Sequence, residues 1–251
     1  MTAFATAADG TRIAYESVGE GAPVVLIHGF AASRVQNWRV PGWYDTLTGA
    51  GYRVVAMDCR GHGESGKPHD PAAYDHEIIM NDVVAVMCAA NIAPAFIMGY
   101  SMGGYISIHL LMKHPKLVRK LAVGGVGATY LAGQFGSREA IADALLEPDK
   151  NKIANPIARR FREFAEQDGK DIMALAACMR GNRKPLSAAE LAQSTRPVLV
   201  VCGENDDLTG PPEPLAAAFA DGRAVMVPRR DHMTSVGDKV YKQAVLKFFA
   251  E

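Results

Sequence analysis

A chain of 251 residues, 49% hydrophobic and 22% charged, lies in the middle of the globular range, which excludes disordered, collagen-like and polar repeat architectures. Its 27 Lys and Arg cancel 27 Asp and Glu, and the basic pairs Arg159-Arg160 and Arg229-Arg230 never grow into a stripe that would neutralise a phosphate backbone, so no nucleic-acid partner is expected. The four cysteines (Cys59, Cys88, Cys178 and Cys202) form no C-x-x-C pair and no Cys/His cluster, so neither a disulfide framework nor a metal site is predicted, and a reducing, cytoplasmic compartment is expected. At roughly 150 residues per domain the length gives about 1.7 domains, which leaves one domain with an insertion and two domains equally open.

The first residues, MTAFATAADG, lack a positive n-region and an apolar h-region, so no export signal is expected there. Asp9-Gly10 between Phe4–Ala8 and Thr11–Val18 predicts an antiparallel hairpin. Continuous apolar runs too short for helices follow at Pro23–Ile27, Tyr52–Met57 and Ala95–Met98, then at Lys120–Val123, Pro197–Cys202 and Arg223–Val227. Helical patterns over Asp82–Ala90, Met102–His114 and Tyr241–Phe249 separate several of them. This alternation predicts an α/β fold with a mostly parallel sheet. The most apolar stretch, Val83–Tyr100, is broken by Asn91 and Pro94 and reads as a helix end, a turn and a strand, so no membrane span is expected.

One interval breaks the rhythm. Residues 129–194 contain no strand-like run, only helical signals: Asn155-Pro156 as an N-cap and first turn, Gly169 as a stop, and Ser187 to Glu190 as a capping box. This predicts a helical cap of 129–194 inserted into a core of 1–128 and 195–251. Glycines 124, 125, 127, 133 and 136 at its entrance are compatible with a hinge or with a static cover.

Gly99-Tyr100-Ser101-Met102-Gly103 joins an apolar run to a helical pattern, the context in which a G-x-S-x-G turn presents a serine at the carboxyl edge of a sheet. A serine hydroxyl is a weak nucleophile at neutral pH and needs a base, which needs an acid to set its tautomer. Of seven histidines, His109 lies mid-helix and His114 before Pro115, both better read as packing or capping, and His28 suits a backbone-supporting role. His232 follows a strand directly and precedes the last helix, which makes it the candidate base. The loop Gly203-Glu204-Asn205-Asp206-Asp207 supplies the acid. Asp206 is chosen, with Asp207 and then Glu204 as competing registers. The backbone N–H groups of Phe30, in the His28-Gly29-Phe30 loop, and of Met102 are the candidate oxyanion donors. Trp38, Leu131 and Phe135, with Phe30 and Met102, are candidates for an apolar substrate pocket, core packing being the competing reading for Trp38 and Leu131.

The order Ser101, Asp206, His232, together with His28-Gly29, Asp58-Cys59-Arg60-Gly61-His62-Gly63-Glu64-Ser65 and the elbow, resembles the α/β-hydrolase superfamily over nearly the whole chain. It looks most like the small, cofactor-free members with a helical cap: esterases, lactonases and epoxide-hydrolase-like proteins. The resemblance implies an architectural role for Asp58–Ser65, no cofactor, no metal, and a small-molecule substrate. A serine at the elbow separates the chain from members that use aspartate there. It also departs from the family by carrying Asp231 immediately before His232, a charge beside the candidate base. Expected chemistry is hydrolysis of a small ester or lactone through an acyl-enzyme on Ser101. A carbon–carbon bond hydrolase or a cofactor-free perhydrolase is the alternative on the same three residues, and a ligand receptor that hardly turns over is the alternative from another class.

Overall fold

Asp9 and Gly10 turn the chain between β1 (Thr2–Thr6) and β2 (Arg12–Val18), which pair antiparallel as the Asp-Gly signal predicts. A computed structural model describes residues 1–133 and 138–251; Phe135 and Gly136, singled out in the sequence, lie outside the described residues. The chain continues through β3 (Ala22–Ile27), α1 (Trp43–Gly49), β4 (Tyr52–Met57), α2 (His76–Ala89), β5 (Ala95–Tyr100), α3 (Met102–Lys113) and β6 (Val118–Gly124). Between β6 and the next strand lie α4 (Arg138–Leu146), α5 (Pro156–Ala165), α6 (Ile172–Arg180) and α7 (Ala188–Leu191). Then come β7 (Val198–Gly203), α8 (Glu213–Ala217), β8 (Gly222–Val227) and α9 (Lys239–Ala250).

Among the described residues eight strands form one sheet in the order β1-β2-β4-β3-β5-β6-β7-β8, antiparallel at β1-β2 and β2-β4 and parallel from β4 onward. Short apolar runs form its centre because both faces are covered. Val25, Ile27, Ile97 and Leu121 pack on one side with Val83 and Val86 of α2 and Ile106 and Leu110 of α3. Their sequence neighbours Val24, Leu26, Phe96 and Ala122 pack on the other with Leu47 of α1 and Val245 and Phe249 of α9. The period-2 alternation of side chains along a strand produces this division.

Three helices differ from expectation, among them α8, whose five residues are too few to show a helical period. α2 begins at His76 rather than Asp82, because Asn81 and Asp82 dilute its apolar pattern, yet Asp82 is buried. α1 escaped notice because it has only seven residues after Gly42, whose φ of 79° makes the entering turn. Among the described residues, the segment between β6 and β7 contains no strand; Asn155 caps α5 through a bond from Ala158 N–H, and Ser187 and Glu190 form the capping box.

Asp82 is buried because Arg60 neutralises it. The Arg60 guanidinium reaches both Asp82 oxygens at 2.6 Å and also donates to Asp9 and to the Ala73 carbonyl, each at 2.8 Å. The Arg60→Ala variant leaves Asp82 charged and uncompensated, and is expected to lower the unfolding free energy in urea by about 3–5 kcal/mol. A loss below 1 kcal/mol contradicts this account.

Candidate active site

Ser101 sits between β5 and α3 with φ 51° and ψ −115°, a conformation that costs energy for a residue with a Cβ. The turn is held by Ser101 N–H donating to Gly124 O at 2.8 Å and by Tyr105 N–H donating to Ser101 O at 3.2 Å. The flanking glycines are steric requirements: a Cβ on Gly99 would lie 2.3 Å from Gly103 O, and one on Gly103 would lie 2.0 Å from Ile27 O. Because both obstacles are backbone, Gly103→Ala must displace β3 or the helix start. It is expected to cost about 3 kcal/mol or more in chemical denaturation, a large value for one methyl group.

His232 Nε2 lies 3.0 Å from Ser101 Oγ, and its Nδ1 lies 2.8 Å from Asp206 Oδ2. Three residues that are 131 and 26 positions apart thus converge at the carboxyl ends of β5, β7 and β8. All three serve one hydrogen-bonded line. Asp206 is buried, and its other oxygen accepts from the N–H groups of Leu208 (3.1 Å) and Thr209 (3.2 Å). Burial pushes its carboxyl up, but the hydrogen bond and charge of His232, with the loop donors, outweigh this and hold it below the ordinary value. The competing registers point elsewhere: Asp207 is 61% exposed and pairs with Arg160, and Glu204 accepts from Arg229 N–H. Asp231, next to the candidate base, spends its carboxylate on the N–H groups of Met233 and Thr234 and on the Thr234 hydroxyl.

Tyr100, an unconstrained position of the elbow motif, is a residue that sequence reasoning passed over. Its hydroxyl donates to the His232 carbonyl and its ring lies 5.5 Å from the imidazole, so the strand carrying the serine also positions the histidine loop. Gly125 (φ 60°) leaves room there, since a Cβ would meet His232 Cε1 at 2.9 Å.

His28 is fully buried and is no base for Ser101. Its Nε2 accepts from Cys59 N–H at 2.9 Å and its Nδ1 donates to Gly29 O at 2.7 Å, which assigns a neutral tautomer; burial pulls its pKa down to match. It ties the Phe30 loop to the Asp58–Ser65 loop. In the latter, Asp58 accepts from Arg34 and from Glu64 N–H, and Ser65 bridges Asp58 O and Ala14 N–H. Asn37, also passed over, accepts from Gly29 N–H at 2.8 Å through Oδ1. Gly29 lies beside the serine, where a Cβ would sit in van der Waals contact 3.4 Å from Ser101 Cβ. Phe30 N–H makes no hydrogen bond among the described residues, and Met102 N–H, in the first turn of α3, has no acceptor within its helix. Among the described residues these two donors are therefore unspent, one on the loop after β3 and one on the residue that follows the serine.

Two cavities open on Ser101 and His232. One, of about 390 Å³, is lined by Gln36, Asn37, Phe164 and Met233; the other, of about 280 Å³, by Met102, Tyr105, Arg138 and Arg183. Phe30, Ile157, Phe161 and Leu208 border both, so α5 supplies part of the divide. The pocket expectation needs correction for two residues. Trp38 is fully buried in the core with its ring edge-on to Trp43, and Leu131 packs against the core on the other side of the sheet; neither is among the described residues that line these two cavities. Among the described residues, no group of three His, Cys, Asp or Glu side chains is arranged to hold a metal ion. No described helix is long and apolar enough to cross a membrane.

The model of the alpha/beta hydrolase fold family matches residues 22–129, which carry the elbow and the loops beneath it. A hydrolase from Pseudomonas aeruginosa superposes over 100% of this chain and 98% of its own, with a TM-score of 0.77 at 25% identity. An esterase from Exiguobacterium antarcticum superposes over all of both chains, with a TM-score of 0.79 at 23% identity. The chain has the α/β-hydrolase fold. Epoxide hydrolase B of Mycobacterium tuberculosis is 39% identical over 175 residues, covering 64% of this chain and 46% of the relative. The chain spans less than two thirds of the curated relatives it matches, from 20% to 62% of their lengths.

Proposed function

We propose that this α/β-hydrolase cleaves a small carboxylic ester or lactone through a covalent acyl-enzyme on Ser101. The observation that carries the reading is the unbroken line Asp206–His232–Ser101, at 2.8 and 3.0 Å, ending in a cavity. Ser101 Oγ attacks the carbonyl carbon while His232 Nε2 takes its proton, and Asp206 fixes the imidazole and balances its charge. Phe30 and Met102 N–H groups receive the oxyanion. The imidazolium returns its proton to the leaving alkoxide. Water then enters the same geometry, with His232 as base again, and releases the acid and the free serine. None of these steps calls on a metal or an organic cofactor. The elbow residue is a hydroxyl, which supports an acyl-ester intermediate rather than attack by a carboxylate. Four free cysteines fit a reducing, cytoplasmic site of action.

The test is labelling by a fluorophosphonate probe, with turnover of short-chain aryl esters and lactones. Labelling at Ser101 with ester or lactone turnover is the expected result; no labelling, or labelling that survives Ser101→Ala, rejects the reading. Labelling with turnover only of carbon–carbon bond substrates or of peroxide would move it to the alternative chemistries.

A further inference from the structure

The smaller cavity beside Ser101 carries positive charge that folding does not account for. Arg138, at the start of α4, and Arg183, just beyond α6, line it together with Met102 and Tyr105. Arg138 donates through Nη2 to the carbonyls of Gly181 at 2.6 Å and Cys178 at 3.4 Å. Arg183 Nη2 reaches the Cys178 carbonyl at 3.1 Å and otherwise meets sulfur, Cys178 Sγ at 2.9 Å and Met102 Sδ at 3.5 Å. Among the described residues neither guanidinium pairs with a carboxylate. The neighbouring acids are spent on other arginines: Glu139 and Asp143 on Arg180, and Asp207, which borders the same cavity, on Arg160. Nε of both is buried without a partner, while the Nη1 groups make no hydrogen bond among the described residues and are not buried.

Two half-buried, uncompensated cations side by side are costly for a fold, because burial and like charge both oppose ionisation. Arg138 registers this: burial, then the charge of Arg183, push it down to about 10. Nearby Ile141 and Met179 keep the wall apolar, which strengthens any ion pair made there.

We propose that Arg138 and Arg183 form the recognition site for a carboxylate of the substrate, so that the bond cleaved at Ser101 belongs to a carboxylate-bearing ester or lactone. Planar guanidinium forks match a carboxylate in shape as well as charge. Arg183 also touches the side chain of Met102, whose N–H faces the oxyanion, so the bound anion lies close to the reacting carbonyl. This substrate class rests on the serine hydrolase reading above.

The experiment compares charged and neutral substrates of matched length. Monoethyl glutarate and monoethyl adipate are set against neutral ethyl esters, placing the charge on the acyl side; 4-acetoxybutyrate is set against butyl acetate, placing it on the alcohol side. In one of the two series the charged substrate is expected to have a KM roughly 10- to 100-fold lower, as for charge-assisted hydrogen bonds in a partly desolvated site. Arg138→Gln and Arg183→Gln are expected to bring that ratio towards one, and Arg180→Gln, a surface arginine of the same segment, to preserve it. Since Arg138 also ties Cys178 and Gly181, the substrate comparison on the unmodified protein decides if that variant fails to fold. Neutral substrates doing equally well in both series, with Ser101 labelled and turning over, overturns the carboxylate site and leaves the hydrolase reading intact. Absence of labelling and turnover rejects the hydrolase reading instead. Thermal denaturation then decides the site: stabilisation by glutarate that Arg183→Gln abolishes upholds it, and no stabilisation, or more from inorganic phosphate than from glutarate, overturns it.

Discussion

Ser101→Ala is expected to lower kcat/KM for a short-chain ester by about four orders of magnitude or more, while the protein unfolds at an unchanged or higher temperature. The loss is large because, in the proposed mechanism, the hydroxyl is the group that forms the covalent bond, and neither His232 nor Asp206 is placed to replace it. Stability should not fall, because alanine keeps the same Cβ at the φ of 51° and so adds no strain, and the lost hydroxyl serves His232 and no core contact. His232→Ala should cost a comparable factor, and the double variant little more than either single one, since each removes the same reaction path. Steady-state kinetics on all three variants checks this. Additive losses, or activity of Ser101→Ala within tenfold of the unmodified protein, would contradict nucleophilic catalysis at this site.

Asp206→Asn is expected to lower kcat by about 10³- to 10⁴-fold with the protein still folded, whereas Asp207→Asn and Glu204→Gln should each change it less than tenfold. An amide at 206 can donate to His232 Nδ1, which stabilises the tautomer carrying its proton on Nε2, where the base must be free to accept. It also removes the negative charge that stabilises the imidazolium. Asp207 and Glu204 have no such leverage, because one is an exposed partner of Arg160 and the other caps the Arg229 backbone. Parallel measurement of the three variants decides the assignment. A loss at Asp207→Asn matching that at Asp206→Asn would mean that the loop works in another register.

The same three carboxylates show where sequence reasoning stops. Glu204, Asp206 and Asp207 are equivalent in composition and lie within four residues, so a linear reading ranks them only by their distance from the strand end. Burial separates them, since the turn after β7 sends one inward to accept from Leu208 and Thr209 and leaves the others in water. Trp38 makes the complementary point. Its size and position near the Phe30 loop suggest a pocket wall, but a large aromatic gains most where it is enclosed, and here Trp38 is fully buried with the Trp43 ring edge-on against it.

What the sequence by itself determined are the features that depend on local chemistry. Strand and helix periodicity predicts the α/β class; Asp-Gly encodes the hairpin, and paired glycines permit a serine in a left-handed turn. The order of serine, acid and histidine then carries the family resemblance. Only the tertiary structure decided what depends on distant segments meeting: the line from Asp206 to Ser101 across three strand ends, the locking of the His232 loop by Tyr100, the division of the site into two cavities, and the meeting of Arg138 with Arg183. The reason is physical. A local motif records the backbone conformation a few residues require, whereas a guanidinium left without an acid is defined by everything packed around it, and no spacing along the chain encodes that.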